Sequence, residues 1–104
     1  MTYKQGDVIL IPFPFSDLTG SKKRPALIIN KPDVYKEPHL ICMMITSVQR
    51  DTPKDISILQ WKDTVLLKPS MARTNKIFTI DTSIVLKKLG QLKQDDFKPI
   101  LSRF

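Results

Sequence analysis

The residues Asp7-Val8-Ile9-Leu10-Ile11-Pro12 make a short, β-branched apolar run that opens after Gly6 and closes at a proline. A run of that length, stopped by a residue that cannot donate to a hydrogen-bond ladder, reads as a mostly buried strand. The pattern returns at Arg24-Pro25-Ala26-Leu27-Ile28-Ile29, where Pro25 suggests an edge or the first positions of a strand. It returns again from Leu40 to Ser47, almost continuously apolar until Thr46-Ser47. Ile56-Ser57-Ile58 and Thr64 to Leu67 could be shorter strands, and Lys76 to Asp81 alternates as a half-buried strand does. Between the first two strands, Phe13 to Lys23 holds Pro14, Ser16, Asp17, Gly20 and Ser21. That makes a loop of roughly eleven residues, a length that is usually functional or mobile in a small domain.

The last quarter changes period. Ser83 to Leu89 reads as one or two helical turns closed by Gly90 as a C-cap. Phe97, Ile100, Leu101 and Phe104 then fall at the i, i+3, i+4, i+7 spacing of an amphipathic helix. Pro99 is tolerated in the first helical turn, which puts the N-cap at Asp95 or Asp96. Short strands followed by a terminal helix predict a mainly β fold with a C-terminal helix, a small, strongly bent sheet or barrel with the helix packed against it. At 104 residues the chain makes one domain, residues 1–104.

The charge is lopsided. Seventeen Lys and Arg against ten Asp and Glu give a net +7, and basic residues lead acidic ones in both halves of the chain. The excess is therefore not a detachable tail, and a polyanion such as nucleic acid is its natural partner. Cys42 is the single cysteine and His39 the single histidine, so no internal disulfide can form, and without paired spacing neither a zinc site nor a catalytic Cys–His pair is expected. Cys42 sits within Leu40-Ile41-Cys42-Met43-Met44-Ile45, as a buried small hydrophobe would. No apolar run approaches the ~20 residues of a membrane helix, and Val8 to Phe13 is too short for a signal-peptide core. The expectation is a cytoplasmic protein that uses no metal or other cofactor and does not enter a membrane.

Several blocks are familiar in combination. Gly6-Asp7-Val8-Ile9-Leu10-Ile11-Pro12-Phe13 followed by Gly20-Ser21-Lys22-Lys23-Arg24-Pro25-Ala26-Leu27-Ile28-Ile29 resembles the opening of the MazF/PemK-like toxins of bacterial toxin–antitoxin pairs. Thr46-Ser47, Ser70-Met71-Ala72-Arg73 with Lys76 to Asp81, and Leu89-Gly90-Gln91-Leu92 resemble the later blocks of that family, in the expected order. The resemblance implies an SH3-like barrel with a C-terminal helix, acting as a homodimer. It also implies a metal-independent, sequence-specific endoribonuclease that cuts single-stranded RNA and is neutralised by a cognate antitoxin, here expected to be acidic and partly disordered.

Cutting RNA without metal requires the ribose 2′-OH to attack the neighbouring phosphorus, leaving 2′,3′-cyclic phosphate and 5′-OH ends. The resemblance makes Arg24 and Thr46 the catalytic pair. Arg24 can meet two phosphate oxygens at once, but a guanidinium that keeps its charge is a poor general base. Thr46 offers a hydroxyl donor, although a hydroxyl at a strand end also commonly bonds its own backbone. Ser47, Lys22, Lys23, Ser70, Arg73 and Phe15 are the expected RNA-binding residues, Phe15 by stacking on a base. Some PemK-type members use an Asp two residues after the arginine and a histidine in the first loop. Here those positions hold Asn75 and, at best, Asp17, while His39 lies between the second and third strands. These departures favour the Arg/Thr arrangement of the MazF branch. Trp61 fits a core or an interface equally. Two alternatives stand beside the nuclease: a poison of DNA gyrase like the related CcdB, which would use the C-terminal Phe104, and a noncatalytic RNA-binding module.

Overall fold

A computed structural model describes residues 3–13, 22–32, 39–49, 51–64 and 66–103, with the backbone alone at Phe13, Lys22, Asp63 and Thr64. The described strands are β1 (Asp7–Phe13), β2 (Lys22–Ile28), β3 (His39–Thr46), β4 (Asp55–Ile58), β5 (Ser70–Asp81) and β6 (Lys87–Gln91), and helix α1 spans Gln94–Arg103. They form one antiparallel sheet in the order β4-β5-β3-β2-β1-β6. The architecture is a mostly β, curled half-barrel with a C-terminal helix.

Alternation along the strands divides the core in two. Val8, Leu27, Met43, Ile45 and Ala72 face one side, where Phe97 and Ile100 of α1 pack on them. Ile9, Ile11, Ala26, Ile28, Leu40 and Cys42 face the other and are overlaid by half-buried Tyr3, Met44, Phe78, Ile80 and Val85. The register breaks once between β1 and β6, at Val8/Ile9, and once between β3 and β5, at Met43/Met44. Such irregularities sharpen the local twist and bend the sheet. At the second, Met43 faces Ile77 while Met44 faces Arg73, so Thr74-Asn75-Lys76 bulge out of the ladder. The Thr74 N–H and hydroxyl both donate to the Lys54 carbonyl, at 2.9 and 2.6 Å, and tie the bulge to the start of β4.

Pro25 lies at the start of a central strand rather than on an edge: it pairs with Leu10 of β1, and pairing with β3 begins only at Ala26. Its missing donor therefore costs the β2–β3 ladder nothing. Gly6 has φ +93° and a Cβ there would stand 3.9 Å from the Phe97 ring, so its backbone conformation, more than space, excludes other residues.

Three expected elements differ. The helical turns expected over Ser83 to Leu89 shrink to a 3₁₀ turn at Thr82–Ile84, and Gly90 lies inside β6 opposite Val8. The free side of β1 recruits that segment as a strand, and pairing overrides a weak local preference. The strand expected over Thr64 to Leu67 is absent at its described positions: Thr64 ends a 3₁₀ turn that begins at Trp61, and Val65 lies outside the described residues. Helix α1 begins two or three residues early, with Lys93 as its cap; the Lys93 carbonyl accepts from the N–H of Asp96 and Phe97 at 3.0 and 2.9 Å. Pro99 thus falls in the second turn, a cost of ~3 kcal/mol that burial of Phe97 and Ile100, roughly 1.5–3 kcal/mol each, offsets. Asp96 is no cap: its buried carboxylate accepts from the N–H of Leu59 at Oδ1 and of Gln60 at Oδ2, both at 2.9 Å, and fastens the helix to the turn after β4.

Candidate functional site

The second face of the sheet is apolar along most of its length and polar at one end. Paired residues of an antiparallel sheet point to the same side, so the register can be read across the strands as rows. One row runs Ile9, Ala26, Met44, Arg73, Asp55 from β1 to β4. The next row out holds Ile11 and Arg24 on one side and Thr46, Met71 and Ser57 on the other. Continuing the β2–β3 register by two residues sets Arg24 opposite Thr46, just past the last paired residues, Ala26 and Met44. Arg24, Thr46 and Arg73 therefore share one end of one face, although 22 and 27 residues separate them in sequence.

Thr46 is half-buried, and its Oγ1 accepts the Val48 N–H at 3.1 Å. That bond closes the turn after β3 and occupies a lone pair, leaving the hydroxyl proton to donate elsewhere. Arg24 is half-buried. Arg73 sits with Nε 3.4 Å from Oδ1 of Asp55, whose side chain is 2% exposed. Ser47 is exposed immediately beyond Thr46.

Other expected binding residues fall elsewhere. Ser70 is three positions from Arg73 and turns to the opposite face, where its hydroxyl donates to the Lys68 carbonyl at 2.9 Å. Lys23, exposed, pairs with Pro12 and alternates away from Arg24. Lys22 opens β2 opposite Phe13, but its side chain, like all of Phe15, Asp17 and Phe104, lies outside the described residues. Trp61 packs half-buried against the helix-side core with Lys62 Nζ 5.5 Å from its ring centre, which favours the core role. His39 begins β3 opposite Asp81, seven steps from Thr46, or about 23 Å along the strand.

The titratable groups fit the same division. Asp81 is held below the usual carboxylate range by the Ser83 N–H at 2.9 Å and by the Ser83 hydroxyl, with a smaller contribution from His39; it caps a turn. Burial pushes the Cys42 thiol up to about 12, which leaves it protonated and inert at neutral pH. Among the described residues no group of His, Cys, Asp and Glu could hold a metal ion, and no helix is long and apolar enough to cross a membrane. What the polar end offers chemically is cationic and hydroxyl donors suited to a phosphate. Asp55 was not anticipated from sequence: nothing along the chain pairs it with Arg73 before the β4–β5 register is known.

The family model of PemK-like, MazF-like toxins of type II toxin–antitoxin systems matches residues 4–104. A comparison with curated proteins gives no match. Among solved structures, the MazE–MazF complex of Deinococcus radiodurans (Form III) superposes with a TM-score of 0.76 at 15% identity, over 99% of this chain and 92% of that one. An endoribonuclease in complex with its cognate antitoxin from a mycobacterial species gives 0.74 at 16% identity, over 97% and 92%. The Mycobacterium tuberculosis toxin MazF-mt6 gives 0.72 at 18% identity, over 92% and 88%. At these identities the superpositions establish the fold.

Proposed function

The chain belongs to the PemK-like, MazF-like toxins of type II toxin–antitoxin systems, and from that membership we propose that it is a metal-independent endoribonuclease acting on single-stranded RNA. The observation that carries the proposal is that the strand register sets Arg24 and Thr46 on one face, just past the end of the β2–β3 ladder, with Arg73 one row away. An RNA phosphate lying across that end would have guanidinium donors for its non-bridging oxygens and the Thr46 hydroxyl for a further bond. As the 2′-OH attacks phosphorus, negative charge grows on those oxygens, and donors already in place stabilise it without reorganising. The O2′–P bond forms as the P–O5′ bond breaks; the 2′-OH gives up its proton, solvent supplies one to the departing 5′ oxygen, and the RNA fragments carry 2′,3′-cyclic phosphate and 5′-OH ends. Ser47, exposed beside Thr46, adds a hydroxyl at the edge of that surface for binding.

Two partners follow. Among the described residues, Met44, Phe78, Ile80 and Val85 are half-buried over the second face, and Ile84 and Leu86, which flank Val85 in the chain, are exposed. A symmetric second copy would cover that face and join two basic ends into one groove. The cognate antitoxin would be an acidic segment folding over that groove as it binds. Two of the similar solved structures hold a toxin with its antitoxin.

The test is a long RNA of mixed sequence, incubated with purified protein in EDTA, with both fragment ends sequenced. Cleavage at one short recurring sequence, with cyclic phosphate and 5′-OH ends, is the expected result. Activity lost to the chelator and restored by magnesium contradicts the chemistry, and binding without cleavage makes the protein a noncatalytic module.

A further inference from the structure

Asp55 opens β4 directly opposite Arg73, on the face that carries Arg24 and Thr46. Its carboxylate accepts the Thr52 hydroxyl at Oδ2, 2.7 Å away, and its Oδ1 lies 3.4 Å from Arg73 Nε as an ion pair without hydrogen-bond geometry. The Asp55 N–H also donates to the Thr52 carbonyl at 3.2 Å, so the turn before β4 and the carboxylate are held together. A buried ion pair contributes little to stability once both charges have been desolvated, and it is often no better than an apolar replacement. Its value lies in where it holds the guanidinium. The ion pair at Nε restrains the long Arg73 side chain at the inner edge of its guanidinium, a group whose planar fork suits an anion.

We propose that Asp55 is a positioning residue that aims Arg73 at an RNA phosphate, an inference that rests on the ribonuclease reading above. Asp55 touches Arg73 and not the substrate. Removing its charge therefore has two consequences of opposite sign. The loosened guanidinium slows the reaction, because a misplacement of about 1 Å can cost about 100-fold. The face meanwhile gains one unit of positive charge, and its attraction for RNA at low salt rises.

The experiment compares the parent with Asp55→Asn, Arg73→Ala, the double variant and Thr52→Ala. Three quantities are read: melting temperature, affinity for a 2′-O-methylated, uncleavable RNA over a salt series, and single-turnover cleavage of unmodified RNA at saturating protein. Asp55→Asn should cut about 10- to 100-fold more slowly, bind the methylated RNA at least as tightly at low salt, and lose no further rate once Arg73 is alanine. Thr52→Ala, at an exposed position, should slow cleavage in the same direction by less. Rate and affinity falling together, or a parental rate in Asp55→Asn, overturns the proposal. Should Asp55→Asn fail to fold, a parental rate in Thr52→Ala overturns it instead. A parent that does not cut RNA removes the ribonuclease reading and this inference with it, whereas a cutting parent beside an unaffected Asp55→Asn removes this inference alone.

Discussion

Thr46→Val separates chemistry from folding cleanly, because the substitution keeps β-branching and shape and deletes one hydroxyl. Among the described residues that hydroxyl makes one hydrogen bond, accepting the Val48 N–H at 3.1 Å. Val48 is 62% exposed, so the freed N–H passes to water and the loss stays under about 1 kcal/mol. For a domain of this size that is a fall in Tm of at most about 4–8 °C. No cavity opens, since methyl replaces hydroxyl at a half-buried position. The rate should respond far more strongly. A donor aimed at the charge that develops on a phosphoryl oxygen is worth ~2.7–4 kcal/mol, or about 100- to 1,000-fold in single-turnover cleavage. Thermal melts and single-turnover kinetics on one RNA give both numbers. A parental rate would show that the hydroxyl only closes the turn after β3. A rate loss that follows the fraction unfolded would refute the assignment equally.

Asp96→Asn should destabilise the protein by about 2 kcal/mol or more, since it removes one of two charge-assisted bonds to a buried carboxylate. Asp95→Asn, on the exposed side of the same turn, should change stability by less than about 0.5 kcal/mol, and equal losses in urea unfolding would contradict the tether. Cys42 should resist a thiol reagent in native protein at pH 8 and react fully in guanidinium, because burial pushes its thiol up to about 12. The unfolded thiol ionises first, near 9.0, so this group withdraws stability as pH climbs from about 9 towards 12. Rapid labelling of the native chain would show the second face to be open.

The strands that carry the site were legible because each is a β-branched run between breakers: Val8 to Ile11, Ala26 to Ile28, Leu40 to Ile45. Strand β6 was not, since Lys87-Lys88-Leu89-Gly90-Gln91 lacks that composition and becomes a strand only by pairing with β1. Arg24 and Thr46 stood out as residues of family blocks at strand ends, but their meeting depends on a β2–β3 register that no local pattern encodes. The same holds for Asp55 and Arg73 across β4 and β5. Parity helps once the strand bounds are known, since the sequence pattern leaves Lys23 in a loop and opens the last strand at Lys76. Ser70 and Arg73 are an odd number of residues apart in one strand, as are Lys23 and Arg24, so neither pair can share a face. With β2 opening at Lys22 and β5 at Ser70, Ser70 and Lys23 fall apart from Arg24, Thr46 and Arg73.

The central claim is that the Arg24 end of the second face performs the cleavage, and Arg24→Ala tests it most directly. Arg24 is half-buried near the start of β2, paired with Ile11, and stands at the polar end of its face. Its removal should cost less than about 1 kcal/mol of stability. Single-turnover cleavage in EDTA, measured on variant and parent at matched folded fraction, should fall by about 100- to 1,000-fold. A folded Arg24→Ala protein that cuts RNA at the parental rate would contradict the account and move the active site away from this face.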